Sequence, residues 1–232
     1  MTPWFSVWFH PRRTIRQIVD TNPKQSVLLL PALSGALELF LYDVLTPSPK
    51  EIPIILALLM TLAGGALLGL VGLFVMGWLY RWVGNEFGGR ANNGQVRAAM
   101  AWAEIPKLVL FAFWIVLMIV TQGNLLKIWQ GQQVLPSPLL QIGLLFTLAA
   151  GVLFIWHLVV LCKMVAEVHR FSSWTGFGTV LIPNASIYVV IFYTSMLAGI
   201  MSPDLSRGSA SPSSDQQAIS SGLSGFSSTQ NP

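Results

Sequence analysis

Residues 54–79 read IILALLMTLAGGALLGLVGLFVMGWL, a long apolar run that is rich in glycine. A helix rises about 1.5 Å per residue, so crossing a hydrocarbon core about 30 Å thick takes about 20 residues. Other stretches of the chain also meet this length. Together they give five predicted membrane spans, namely Ser26–Leu45, Ile54–Leu79, Leu108–Leu126, Leu139–Val165 and Phe177–Met201.

The composition excludes an ordinary soluble protein. The chain has 232 residues, of which 53% are hydrophobic and only 9% are charged, whereas a typical soluble domain carries about 25% charged residues. So few charged side chains could not keep the surface of a soluble fold of this size solvated. We therefore predict an all-α polytopic membrane protein with five transmembrane helices and short amphipathic interfacial helices.

Three segments follow from these spans. Residues 1–25 are predicted to form a cytoplasmic N-terminal amphipathic segment, and residues 26–201 the five-helix transmembrane domain. Eleven of the last 31 residues are serine, and a segment with so few apolar side chains cannot bury enough surface to fold. Residues 202–232 are therefore predicted to be a disordered Ser-rich tail.

The N-terminal segment is predicted to lie on the membrane surface. Residues 2–10 contain tryptophan and phenylalanine rings, and tryptophan in particular suits the headgroup zone. Pro11 can open a helix whose apolar side chains Ile15, Ile18 and Val19 fall on one face. Such a helix would lie in the membrane plane, and packing on the protein's own loops is the alternative.

Two further patterns concern the ends and contacts of helices. Asn93 can cap a second interfacial helix that runs from about residue 94 to residue 104. Gly65 and Gly69 form a small-xxx-small pair in the second span, and small residues at positions 143, 147 and 151 repeat this spacing in the fourth. Because small residues let helices approach closely, we expect packing within one chain, with contact between chains as the alternative.

Basic residues set the predicted orientation. With five spans, one side of the membrane receives ten of them and the other side receives three. The larger group is Arg12, Arg13, Arg16, Lys24, Arg81, Arg90, Arg97, Lys107, Lys163 and Arg170, and the smaller is Lys50, Lys127 and Arg207. The positive-inside rule then predicts a cytoplasmic N-terminus and a tail outside, in the cell (inner) membrane. Most of these residues lie near span ends, where they meet anionic lipid, so nucleic acid is not an expected partner.

Glu38 is the most unusual polar residue of the spans. It lies about twelve residues into the first span, where a charge costs at least a few kcal/mol. Tyr42 shares its helix face and can donate a hydrogen bond, and His157 lies in the fourth span. Two interpretations stay open: Glu38 joins a neighbouring helix as a structural group, or it relays protons or ions.

A second candidate set lies near the cytoplasmic ends of the spans. Its members are Arg90, Arg97, Lys163, Glu167 and Arg170. The last three recur at helical spacing and can form a small ion-pair ladder. We predict that this set forms a cytoplasmic interaction face for other membrane or cytoplasmic proteins, with a merely solvated face as the alternative. Membrane lipids are the other expected partner, and the sequence leaves the oligomeric state unknown.

No catalytic or cofactor site is predicted. The sequence contains no GxSxG, HExxH, GxGxxG or GxxxxGK[ST] motif. His157, Cys162 and His169 are separated by five and seven residues, and these offsets do not bring all three to one compact metal site. We therefore expect a protein that is not an enzyme and that carries no metal or other cofactor.

Several short motifs follow one another in a set order. They are Trp8-Phe9-His10-Pro11-Arg12, Asn22-Pro23, Phe87-Gly88-Gly89, Gln95-Val96-Arg97-Ala98-Ala99 and Ile105-Pro106. With five spans and a cytoplasmic N-terminus, this order resembles the Yip-one family, the Ypt-interacting membrane proteins, in its divergent bacterial form. The resemblance covers about residues 4–201 and implies a multi-pass membrane protein with no assigned reaction. The Asp-Leu-x-Gly-Pro signature of eukaryotic members does not occur here, so the resemblance implies no site residues.

Two hypotheses of function follow. The first is a non-enzymatic membrane-organising or partner-binding component whose cytoplasmic face carries the interactions. The second is a small transporter or channel subunit in which Glu38 titrates within the membrane. In a transporter, Glu38 should face a hydrated cavity shared with Tyr42 or His157, whereas in a scaffold it should meet one neighbouring helix in a dry contact.

Overall fold

The computed structural model describes residues 3–24, 26–45, 53–121 and 137–201, and within these ranges every regular element is helical. The helices are α1 (Pro3–Phe9), α2 (Pro11–Thr21), α3 (Leu29–Leu45), α4 (Ile54–Glu86), α5 (Asn93–Ala103), α6 (Ile105–Val120), α7 (Ser137–His169) and α8 (Ser173–Met201). The all-α prediction is confirmed. The predicted Ser-rich tail, residues 202–232, lies outside the described residues.

Within the described chain, four helical stretches are long and apolar enough to cross a membrane, namely Ile54–Glu86, Asn93–Ile119, Gln141–His169 and Ser173–Leu197. They match the second to fifth predicted spans, so the protein is a multi-pass membrane protein. The first predicted span forms α3, whose 17 residues extend about 25 Å, less than a core of about 30 Å. The predicted number of five is therefore one higher than the four stretches of sufficient length.

The backbones of α3 and α4 meet directly. A Cβ atom added at Gly65 would lie 2.8 Å from Ala36 Cα, and one added at Gly69 would overlap the carbonyl oxygen of Pro31. Because Pro31 meets the later glycine and Ala36 the earlier one, the two helices run antiparallel. The small-xxx-small pair of the second span thus packs against α3 of the same chain.

α5 forms the centre of the core and is not an interfacial helix. Its buried residues are Val96, Ala98, Ala99, Ala101, Trp102 and Ala103. Alanines on several of its faces allow α2, α4 and α7 to pack around it. Its cap is Asn92 rather than Asn93, since Asn92 is extended and its side chain accepts from the Gln95 amide at 2.9 Å. The prediction of an interfacial helix was wrong because protein, and not lipid, covers this helix, and the cap lies one residue earlier than predicted.

The two N-terminal helices expose different surfaces. On α2, Ile15 and Ile18 are buried against α5 and α7. This helix therefore packs on the protein's own elements, which was the alternative to lying in the membrane plane. On α1, in contrast, Phe5 and Phe9 are 76% and 80% exposed, so aromatic rings project from this helix as an interfacial anchor requires.

Contacts divide the chain into two units, Met1–Asn184 and Ala185–Pro232. In the second unit, the described residues form the end of α8, where Tyr188 and Phe192 are exposed. In the first unit, Gly151 of the second small-residue set has nothing within 4 Å. That set therefore differs from the pair on α4, since no described helix packs on Gly151. All sites discussed below lie in the first unit.

Replacing Gly69 by alanine should destabilise the protein, because the new methyl group meets the Pro31 carbonyl oxygen. Overpacking of this kind costs about 1–3 kcal/mol. Gly72 lies on the same helix with nothing within 4 Å, so Gly72→Ala is the matched control. Thermal unfolding in detergent measures both variants. Equal midpoints for the two would contradict the direct contact of α3 with α4.

Candidate functional site

An ion-pair cluster joins α3 to the junction of α5 and α6. Lys107 Nζ lies 2.7 Å from Glu38 Oε1 and 2.5 Å from Glu104 Oε2. The Ser34 hydroxyl donates to Glu104 Oε2 at 2.7 Å. We call these four residues the Lys107 cluster. It connects parts of the chain that are far apart in sequence.

Local sequence brings each half of the Lys107 cluster together. Ser34 and Glu38 are one turn apart on α3, so they share a helix face. Glu104 and Lys107 are three residues apart at the start of α6, which also brings their side chains together. Pro106 occupies the first turn of α6, where its missing amide proton costs no hydrogen bond. The two halves meet only when α3 packs beside α6.

The charged side chains of the Lys107 cluster differ in burial. The side chains of Lys107 and Glu104 are 18% and 19% exposed, and that of Glu38 is 53% exposed. Removing one partner of a buried ion pair costs about 3–5 kcal/mol, because the remaining charge is left unpaired in apolar surroundings. The geometry therefore pairs charges and fixes α3 against α6.

Of the other residues predicted to act with Glu38, His157 lies beside the Lys107 cluster, within electrostatic range of Glu104, Lys107 and Glu38. His157 is buried, and its Nδ1 lies 2.8 Å from the carbonyl oxygen of Ala103. Since a carbonyl can only accept, this ring nitrogen carries the proton. Tyr42 is 65% exposed on α3. Sequence reasoning missed Lys107 as the partner of Glu38, because the two are far apart in sequence and only the packing of α3 beside α6 brings them together.

A second polar site fixes the N-terminal helices to the end of α7. Arg16 Nε donates to Glu167 Oε1 at 2.8 Å, and Arg16 Nη2 contacts the same oxygen. Arg12 Nη1 lies 3.8 Å from Glu167 Oε2 and Arg12 Nη2 donates to Ser173 Oγ at 3.0 Å. We call Arg12, Arg16 and Glu167 the arginine clamp. The hydrogen bond to Glu167 and its negative charge raise the pKa of Arg16.

The residues predicted as a cytoplasmic interaction face are only partly brought together. Within the described residues, Glu167 pairs with the two arginines of α2 and not with Lys163 or Arg170. Arg170 has a left-handed backbone, with φ of 64°, and ends α7, so it does not continue the helix face that the ladder needed. Arg90 and Arg170 are exposed, whereas Lys163 and Arg97 are partly buried.

His169 holds the loop after α4 against the end of α7. Its ring is 1% exposed and stacks on Phe171 with 5.1 Å between centroids. A Cβ atom added at Gly84 would lie 2.5 Å from Nε2, and one added at Gly89 would overlap the ring. Glycine is thus required at both positions for close approach. In the ranges that the structure covers, no group of three His, Cys, Asp or Glu could hold a metal ion.

The fold and these sites define a multi-pass helical membrane protein whose charged side chains join its helices. The Yip1 domain matches residues 5–194. The chain therefore belongs to the Yip1 domain family, and the resemblance seen in the sequence is confirmed. No curated protein and no solved structure matches the chain.

Proposed function

We propose that the protein is a non-enzymatic membrane-organising or partner-binding component. The observation that carries this proposal is that two of its carboxylates form ion pairs between helices. Glu38 and Glu167 each pair with a basic side chain of another helix. Acidic side chains that are engaged in this way hold helices together, which favours a structural role over acid–base chemistry.

The same contacts favour a scaffold over a transporter. In a transporter, Glu38 was expected to share a hydrated cavity with Tyr42 or His157. Glu38 lies 2.7 Å from Lys107 of a neighbouring helix, and the ring of the nearby His157 bonds to the carbonyl oxygen of Ala103 and not to Glu38. Pairing with one neighbouring helix is the first half of the arrangement expected of a scaffold, and the 53% exposure of the Glu38 side chain is not the dry contact that was expected with it.

We further propose a location in the cell (inner) membrane, with the N-terminus cytoplasmic and the tail outside. Ten basic residues against three support this orientation. It requires α3 to carry the chain across the bilayer, and the antiparallel contact with α4 supports such a path. The arginine clamp and His169 would then lie on the cytoplasmic side. The partner-binding face would lie on the same side.

Cysteine labelling tests this orientation. Cys162 is buried and is replaced by alanine, and single cysteines are introduced as Arg13→Cys and Thr229→Cys. In cells whose outer envelope is permeabilised and whose inner membrane is intact, a membrane-impermeant maleimide should label position 229 and not position 13. Labelling of position 13, or of both positions, would contradict the proposed orientation.

Arg90 and Arg170 have exposed side chains and form the accessible part of the proposed interaction face. The other members of the face are partly buried beneath it, namely Arg97, Lys163 and Glu167. Phe87 adds an apolar contact, since it is 47% exposed on the same loop as Arg90. Arginine next to an exposed aromatic ring is a common composition of protein interfaces. The proposal therefore places the partner contact on residues 87–90 and on Arg170.

Photo-crosslinking in cells tests this interaction face. A photoreactive amino acid is placed at position 90 or 170, and the control is placed at Leu145, which is 67% exposed on the apolar part of α7. The two face positions should give the same discrete protein adduct, which Arg90→Glu should reduce when the probe is at position 170. Lipid adducts alone, or the same adduct from position 145, would contradict partner binding by this face.

A further inference from the structure

The two halves of α8 differ in their surroundings. In the first half, Thr179 and Val180 are buried, and a Cβ atom added at Gly176 would lie 2.6 Å from the carbonyl oxygen of Cys162 on α7. In the second half, residues 188–192 are five consecutive positions, so together they cover every face of the helix. Each of them is at least 52% exposed. The first half is therefore packed into the bundle, whereas the helix has no buried face at residues 188–192.

Pro183 lies inside α8 between these two halves. Proline has no amide proton, so residue 183 cannot donate to the carbonyl oxygen of Thr179 one turn earlier, and its ring crowds that carbonyl group. Helices bend most readily where a backbone hydrogen bond is missing in this way. The division of the chain into two units falls directly after the next residue, Asn184. The backbone of α8 is thus weakest where its packed half ends.

Asn184 attaches this point of α8 to α4. Its Nδ2 atom donates to the hydroxyl oxygen of Tyr80 at 2.7 Å and to the carbonyl oxygen of Val180 at 2.7 Å. Tyr80 is 3% exposed and belongs to the hydrophobic core. Hydrogen bonds are directional, and they are stronger in apolar surroundings than in water. The bond from Asn184 to Tyr80 therefore fixes the direction in which α8 continues beyond Asn184.

We propose that Pro183 and Asn184 form a hinge in α8, which the hydrogen bond to Tyr80 holds in one position. When that bond is released, the second half of α8 changes its direction in the membrane while the first half stays packed on α7. Residue 192 is eight positions beyond Asn184, so a change of about 20° in the bend moves it by about 4 Å. The inference requires only that α8 is a membrane helix. It does not depend on the proposed partner-binding role.

Pulsed electron paramagnetic resonance on the full-length protein in nanodiscs tests this hinge. Cys162 is replaced by alanine, and spin labels are attached to Leu145→Cys on α7 and Phe192→Cys on α8, both at exposed positions. In this background, Tyr80→Phe should broaden the distance distribution by about 4 Å, because Asn184 loses its acceptor. Adding Pro183→Ala to Tyr80→Phe should restore the narrow distribution, because alanine completes the helical hydrogen bond.

Two controls distinguish motion at the hinge from a general loosening of the bundle. A second label pair, at Leu145→Cys and Leu181→Cys, has its α8 label before the hinge at an exposed position. Its distance distribution should be the same with and without Tyr80→Phe. Tyr188→Phe removes a tyrosine hydroxyl group beyond the hinge, and it should leave the distribution between positions 145 and 192 unchanged.

Three outcomes would overturn the proposal. The first is an unchanged distribution between positions 145 and 192 in Tyr80→Phe. The second is an equal broadening between positions 145 and 181, since the motion would then not begin at the hinge. The third is a broadening that persists when Pro183→Ala is added. If Tyr80→Phe loses helicity, Asn184→Leu replaces it, because it removes the donor of the same hydrogen bond, and the same expectations and contradicting outcomes apply to it.

Discussion

A charge inside an apolar helix bundle needs an opposite charge from the protein, since the hydrocarbon tails of the lipid offer none. Lys107 meets this constraint with two carboxylates, one from α3 and one from the residue that separates α5 from α6. The pairing fixes α3 relative to α6. Because α3 also lies against α4 through glycine contacts, the same charge pair sets the position of the antiparallel α3–α4 pair in the bundle.

The remaining polar contacts act on another part of the chain by the same principle. The arginine clamp attaches α2 to the end of α7, and His169 fills the space that Gly84 and Gly89 leave open. Together they enclose α5, whose small side chains let three helices approach it. Some buried polar atoms of the described residues have no hydrogen-bond partner there, among them Arg81 Nε, Arg97 Nε and both ring nitrogens of His169.

Properties of single helices were accessible from the sequence. Apolar runs of sufficient length predicted α4, α6, α7 and α8, and the spacing of Gly65 and Gly69 predicted a close helix contact. The surroundings of a helix were not accessible. An apolar face such as that of Ile15 and Ile18 has the same pattern whether lipid or protein covers it, and only the packing distinguishes the two. The same limit applies to α5, which was expected at the membrane surface.

Contacts between residues that are distant in sequence were the other feature that the sequence did not predict. Glu38 was recognised as unusual because a charge within a span is costly, but Lys107 was counted only as a residue that orients the protein. Glu167 was assigned to Lys163 and Arg170, which are close to it on the same helix, and it pairs with Arg12 and Arg16 instead. Helical spacing shows which side chains of one helix can reach each other, whereas tertiary packing decides which of these pairs form. One chain without related sequences contains no signal for such distant pairs.

The pairing of Lys107 is measured most directly by magic-angle-spinning NMR on the full-length protein in lipid bilayers. The lysine Nζ atoms are labelled with 15N and the glutamate carboxyl carbons with 13C. The account predicts a strong dipolar coupling between one ammonium and glutamate carboxyl carbons, which is lost in Lys107→Met and kept in Lys163→Met. A Lys107 ammonium signal with no coupling to any carboxyl carbon would contradict it.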